Sequence, residues 1–402
     1  MKTIKTSLLT KIAYGVMSAS LSLNVLAASD GKVKIGVLAD MGGTYADICG
    51  KGCVTATEMA IEDFGGEVLG KKIELVSADS QLKPDIASSI ARKWVESEDV
   101  DTIGGLVSSA VSGAVSKVNL DNKKITLISG SASNSFTTDA CNAYNVHWTY
   151  NVEAMANGTV KPMVESGKKN WFFITADYSF GHSLESVATT VITEKGGKVV
   201  GGVRAPLGTT DFSSYVLQAQ ASGADVVALA NAGNDTVNAL KAASEFGLTD
   251  QMDIAGLLVF TQNSQAMDPS VAAGMRLTTG FYWDMDDQAR QWSARFEERH
   301  GGIPSMIHAG IYSATMHYLN SVKAVGTDES EAVIKHMKQN KPNDFFARNA
   351  ELRGDGRMVH DMLYVEIKKA SERKNKNDIY TILKTIPANE AYAPMLPQCD
   401  FS

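Results

Sequence analysis

Two short serine-bearing turns hold the residue types best suited to gripping a small anion. Ser108-Ser109 falls between a predicted buried strand ending near Leu106 and a helix starting near Ala110. Gly130-Ser131-Ala132-Ser133 follows a second predicted strand over residues 125–129. A serine hydroxyl donates a hydrogen bond with little bulk, and the first N–H groups of a helix favour negative charge, so two such turns can clamp a carboxylate. Serines in these positions also cap helices, and the two roles are compatible. Tyr45, Trp148, Tyr150, Tyr178, Phe180, Phe281, Tyr282 and Trp283 cluster near predicted crossovers, and aromatic walls suit a ligand with an apolar body. Asn231, Gly233 and Asp235, between a strand end and a helix, are further candidate contacts, as are Asp177 and Phe260.

The motifs of enzymes are missing. There is no G-x-x-x-x-G-K-[ST] and no G-x-G-x-x-G after the first strand, so phosphate cradling has no sequence support. Neither a G-x-S-x-G elbow nor an H-E-x-x-H pair occurs. Ser166-Gly-Lys-Lys169 fits S-x-x-K but sits in a predicted polar turn. The chain reads as a binder and not an enzyme, with no catalytic residue, no metal site and no cofactor.

The candidate residues are positioned by an alternating pattern. Apolar runs at 32–40, 72–78, 100–105 and 125–129 read as strands, and helical stripes over 52–64, around Ile86, Ile90 and Trp94, and over 110–120 lie between them. A second β-α-β set begins near Tyr150, with strands at 170–176, 198–204, 225–230 and 254–259 and helices near 180–191, 212–221 and 236–246. Parallel sheets covered on both faces follow from this order. The bend lies near residues 147–150. Beyond Phe281 two helices are predicted, one carrying Ile307, Ile311, Tyr318 and Val322 on a face and one over 330–339. Gly354-Asp-Gly356 is expected to turn a hairpin between residues 345–353 and 362–369. The fold class is α/β: two Rossmann-like lobes around a cleft, with late segments returning to each.

Composition agrees with a globular binder. The 402 residues are 44% hydrophobic and 21% charged, which excludes a disordered or polytopic membrane chain. Lys and Arg number 38 against 45 Asp and Glu, so no nucleic-acid partner is expected. Residues 1–28 carry Lys2, Lys5 and Lys11, an apolar stretch and then Val25-Leu26-Ala27-Ala28, the pattern of a cleaved secretory signal peptide. Its loss would take the formal charge from −7 to −10, leaving a protein without stable membrane insertion. Export makes the cysteines disulfide candidates. Four allow three pairings; Cys49 and Cys53 are one helical turn apart, and if they pair, Cys141 and Cys399 tie the C-terminal tail to the first half.

The chain resembles the type I periplasmic substrate-binding proteins of ABC transporters, in the branched-chain amino acid (Leu/Ile/Val) branch. The resemblance rests on Ile35-Gly-Val-Leu-Ala-Asp-Met-Gly-Gly-Thr-Tyr45, Gly104-Gly-Leu-Val-Ser-Ser109, Ile128-Ser-Gly-Ser-Ala-Ser133, Ala176-Asp-Tyr-Ser-Phe-Gly181 and Asp211-Phe-Ser-Ser214. It implies a hinged, Venus-flytrap pair: lobe one over 29–149 and 281–353, lobe two over 150–280 and 354–385, and a tail over 386–402 tied back to the body. It also places the family's carboxylate-gripping loops on Ser108-Ser109 and Ser131 to Ser133. Where the amino acid binders hold the ligand's ammonium with an acid, this chain has Leu258, with Asp235 or Asp177 as substitutes. It therefore looks closer to the branch that takes aromatic or other carboxylates lacking an amine, and Cys141 and Cys399 look like that branch's distant pair. The implied protein is a monomer in the periplasm that passes a small carboxylate to a permease. The alternatives are an amino acid binder or a ligand-sensing module of the same fold.

Overall fold

The structure, a computed structural model, describes residues 32–402; the signal-peptide reading lies outside them. Near-continuous apolar runs buried on both faces form the inner strands of the first sheet, Lys34–Ala39 (β1), Thr102–Gly104 (β3) and Ile125–Ile128 (β4), flanked by the partly exposed edge strand Glu74–Asp79 (β2) and by the short strand Asn145–His147 (β5). All neighbours are parallel, in the order β2-β1-β3-β4-β5. Helices Gly50–Phe64 (α1), Pro84–Ser97 (α2) and Ser109–Asp121 (α3) connect them.

The second sheet repeats the logic. Asn170–Ala176 (β6), Lys198–Ala205 (β7), Val226–Ala230 (β8) and Asp253–Gly256 (β9) pair in parallel as β9-β8-β6-β7. Val152–Glu165 (α4) leads into it, and Ser179–Glu194 (α5), Ser213–Gln220 (α6), Asn234–Glu245 (α7) and Thr261–Ala266 (α8) follow its strands. A third, antiparallel sheet of Arg276–Thr279 (β10), Met362–Ile367 (β11) and Tyr380–Ile386 (β12), ordered β10-β11-β12, adjoins it.

Between β5 and β11 the chain passes between the two layers three times, at residues 148–151, 280–286 and 360–361, and the tail after β12 returns to the first layer, where Cys399 bonds Cys141. After the second crossing, Asp287–His300 (α9), Met306–Val325 (α10) and Ser330–Gln339 (α11) return to the first sheet. Asp63 of α1 accepts from Arg295 of α9 at 2.6 Å and from Tyr312 of α10 at 2.8 Å.

Two sequence expectations need correction here. Helix α9 was not anticipated, because its apolar stripe is only Ala289, Trp292 and Phe296 in a mostly polar segment. The Gly354-Asp-Gly356 turn does make a hairpin, but its strands are Glu351–Leu352 and Met358–Val359. Met362–Ile367 instead pairs with β10 and β12. A turn signal fixes where the chain reverses and not how far pairing runs.

Both expected cysteine pairs are bonded. Cys49–Cys53 closes the first turn of α1, and Cys141–Cys399 joins the tail to the loop before β5 across 258 residues of sequence. Among the described residues no helix is long and apolar enough to cross a membrane.

Candidate functional site

In each parallel sheet the order of connections reverses at one place, between β1 and β3 in the first and between β6 and β8 in the second. Loops diverge there beyond the carboxyl ends of the strands and leave a crevice. The two crevices face each other and share one buried cavity. Tyr45 and Ile48 (after β1), Val107 and Ser109 (after β3), and Gly130 and Ala132 (after β4) form one wall. Tyr178 and Phe180 (after β6), Ala232 (after β8), and Leu258 and Phe260 (after β9) form the other, and Tyr150 closes the hinge side. The free volume is only ≈ 10 Å³, about the room of one water. A larger guest enters only if the walls separate.

The walls touch through polar and steric contacts. The hydroxyls of Tyr45 and Tyr178 lie 2.7 Å apart, one donating to the other. Burial, and then each other's proximity, raises the pKa of Tyr45 well above that of free tyrosine, and burial raises Tyr178 too, so both keep their protons. Tyr45 is aimed by Asp40, whose carboxylate accepts from Gly43 N–H at 2.8 Å and from Tyr45 N–H at 2.9 Å. Gly233 meets the other wall directly: a Cβ there would fall 2.7 Å from the Thr44 carbonyl oxygen and 2.8 Å from the Tyr45 ring.

The serine turns divide their labour. Ser109, at the first position of α3, lines the cavity, and its hydroxyl accepts from Ser133 N–H at 3.3 Å, which ties the two turns together. Ser108 is the residue before the helix but makes no capping bond with its hydroxyl, and it lies behind the wall. Ser131 is committed to the scaffold, donating to the Leu106 carbonyl at 2.9 Å and sharing a close contact with Ser112 Oγ. The Ser133 hydroxyl caps the short helical turn at Asn134–Thr137 by accepting from Ser135 N–H. Tyr150 donates to the Gly130 carbonyl at 2.6 Å and packs edge-on to Phe260.

Four other candidates stand outside the wall. Asp177 is half-exposed and pairs with His182 at 2.8 Å, on the outer rim. Asn231 is buried and accepts from Thr236 Oγ1 at 2.8 Å, behind Ala232. Asp235 is buried in the first turn of α7, one carboxylate oxygen accepting from Gly208 N–H at 3.2 Å and the other unpartnered. Tyr282, in the second crossing, accepts from the backbone N–H of Ile379 at 3.0 Å and packs on Tyr380 of the antiparallel sheet. Sequence reading favoured polar residues at strand ends and so passed over Ile48, Val107 and Ala232. Val107 and Ala232 adjoin chosen residues, so position relative to the strand end was the usable signal.

Asp235 gives a pH prediction. Burial raises its pKa from 3.8 to about 6, against the smaller opposing effect of the Gly208 N–H. Between roughly pH 4 and 6 the folded protein then binds more protons than the unfolded chain, so this carboxyl makes stability fall as pH rises through that window, by up to about 3 kcal/mol. Asp235→Asn should therefore melt higher than wild type above pH 6.5, with the difference vanishing toward pH 4. Identical pH profiles of the melting midpoint would refute it.

A family profile described as periplasmic binding protein matches residues 32–374. The chain belongs to the periplasmic binding protein family. Members of this family are substrate-binding transport proteins and not enzymes. This periplasmic binding protein is similar to one from Burkholderia mallei, at 42% identity over 92% of this chain and 98% of that one, with a TM-score of 0.89. It is 24% identical over 347 residues to a Leu/Ile/Val-binding protein homolog from Brucella melitensis, covering 83% of this chain and 87% of that one. It shares its fold with an ABC transporter solute binding protein from R. palustris solved in complex with 4-hydroxybenzoate, at 21% identity, with coverage of 89% and 97% and a TM-score of 0.79.

Proposed function

We propose that this protein captures a small aromatic carboxylate between its lobes and delivers it unaltered to an ABC-type permease, after export directed by residues 1–28. The observation that carries the reading is the make-up of the cavity: Tyr45, Tyr150, Tyr178, Phe180 and Phe260 around a serine turn, and Leu258 where an acid would be needed for an ammonium. Phenyl-sized apolar faces match aromatic rings. Ser109, at the N-terminus of α3, offers a hydroxyl and the positive end of a helix to a carboxylate. An α-amino acid would bury an ammonium without a partner, which costs several kcal/mol. The 4-hydroxybenzoate carried by the R. palustris neighbour supports the same class, while the Brucella relative's name supports branched-chain amino acids. In this reading lobe one comprises residues 29–149 and 281–353 and lobe two 150–280 and 354–385, except that the hairpin through residue 359 stays with lobe one, where Arg357 runs beside His147, and the crossings are the hinge. Differential affinity for the closed arrangement is what shuts the lobes and marks the loaded form for a permease.

A thermal-shift panel of benzoate, hydroxybenzoates, phenylpropenoates, leucine, isoleucine and valine tests the ligand class. Aromatic carboxylates should raise the melting midpoint, since a ligand at a hundred times its Kd adds about 2.7 kcal/mol. A rise with leucine, isoleucine or valine alone would replace this reading with the amino acid one, and Asp235, half-paired behind Tyr45, would then be the first residue to test for the ammonium.

A further inference from the structure

We infer that Arg357, which lies outside the cavity wall, supplies the positive charge that makes the cavity select an anion; the inference rests on the carboxylate reading above. None of the residues lining the cavity is charged. An anion taken there from water loses its hydration, and serine hydroxyls and helix dipoles replace only part of it. A permanent positive charge close behind the wall would lower that cost and would leave a neutral analogue indifferent.

Arg357 is fully buried on the segment that runs beside β5 into the third crossing. Its guanidinium donates to the carbonyls of Tyr150 at 2.7 Å, Trp148 at 3.0 Å and Met358 at 3.0 Å, reaches the Tyr392 hydroxyl at 3.4 Å, and lies 4.8 Å from the centre of the Tyr392 ring. Every one of these acceptors is neutral. Asp355 accepts the Arg357 backbone N–H at 3.0 Å, but its carboxylate is occupied by Arg353 through contacts of 2.6 and 3.3 Å. On this side of the cavity two cations thus face one acid, while on the opposite wall Asp235, buried behind Tyr45 with its pKa raised to about 6, brings a negative charge above that pH, so the guanidinium acts on the Tyr150 side.

The neighbouring histidines do not alter this balance. His147 and His360 are both buried, and desolvation, reinforced by the Arg357 charge, holds each well below the usual imidazole range, His360 at about 4. Both are neutral at physiological pH. The guanidinium itself stays protonated at any pH the protein meets.

Tyr150 joins the charge to the cavity. Its carbonyl takes the shortest Arg357 hydrogen bond, its ring lines the cavity, and its hydroxyl fixes the Gly130 carbonyl. A carboxylate resting between Ser109 and Tyr150 would feel the guanidinium through protein rather than through water, where Coulomb interactions are less screened. Arg357 thus acts on the ligand through its charge, with Tyr150 as the link between the two.

Calorimetric titration with benzoate and with its neutral isostere benzamide tests this. The wild-type protein should prefer benzoate by roughly tenfold or more. Arg357→Met should weaken benzoate binding roughly 10- to 50-fold and benzamide binding no more than about threefold, while Arg357→Lys keeps the preference. A purely structural role would weaken both ligands together, in both variants, and that result would overturn the inference. So would equal affinity of the wild-type protein for the two ligands, a comparison that needs no variant to fold. If benzoate fails to bind while leucine binds, the ligand reading falls and this inference with it, a different outcome from benzoate binding without charge preference.

Discussion

Replacing Gly233 with alanine is expected to weaken ligand binding by roughly a hundredfold. The residue precedes α7 with φ +64° and ψ −140°, a conformation that glycine tolerates and a side chain resists at a cost of about 1–3 kcal/mol. The new Cβ would also stand 2.7 Å from the Thr44 carbonyl oxygen and 2.8 Å from the Tyr45 ring on the facing wall. The first penalty applies whether or not the lobes meet, whereas the second applies only when they do. The variant should therefore show a modest drop in the melting midpoint without ligand and a much larger loss of affinity. Small-angle scattering should also show that saturating ligand no longer compacts it. Unchanged affinity would mean that the contact between Gly233 and Tyr45 does not belong to the ligand-holding arrangement. A ligand shifts an equilibrium only by its differential affinity for the two states, so even a few kcal/mol against closure appear directly in the Kd.

The second large effect concerns the tail. Removing the Cys141–Cys399 bridge with a double serine variant should destabilise the protein by about 2–5 kcal/mol, because a cross-link that closes a long loop removes much entropy from the unfolded chain. The tail is also held to the Gly354 hairpin by Lys338, whose ammonium donates to the Gly354 carbonyl at 2.9 Å and the Phe401 carbonyl at 3.1 Å. The tail should then become the first site of proteolytic cleavage. The Cys49–Cys53 bridge closes a loop of only a few residues, so its removal should cost less by the same entropic argument. Equal losses in melting midpoint for the two double variants would contradict the loop-length account.

The parallel strands were legible because a strand buried on both faces has no choice but to be apolar, as in Val226–Ala230 or Ile125–Ile128. The hinge-side segments were less so. Helix α9 is mostly polar and buries only a narrow stripe, and β12 leaves Ile382 and Leu383 exposed, so neither displays the contrast on which periodicity depends. At the site, the turns after β3 and β4 could be found from strand ends and small hydroxyl residues. Which serine faces the cavity could not, because Ser109 and Ser131 differ in their partners and not in their chemistry. Tyr282 was drawn in by its aromatic neighbours, yet its hydroxyl is taken up by the backbone at Ile379. Arg357 carries no signal of its own in the sequence, since a buried guanidinium satisfied by carbonyls is defined only by the contacts of three crossing segments.

The crossings also govern the order in which the layers can be completed as the chain emerges from its N- to its C-terminus. All five strands of the first sheet have been made by His147, but α9 and α10, which pack against α1 with Trp292, Phe296 and Ile307 buried, come only after a further 139 residues or more. Until then a finished layer waits without part of its cover, and nascent chains interrupted near residue 280 should be the species that chaperones and proteases recognise.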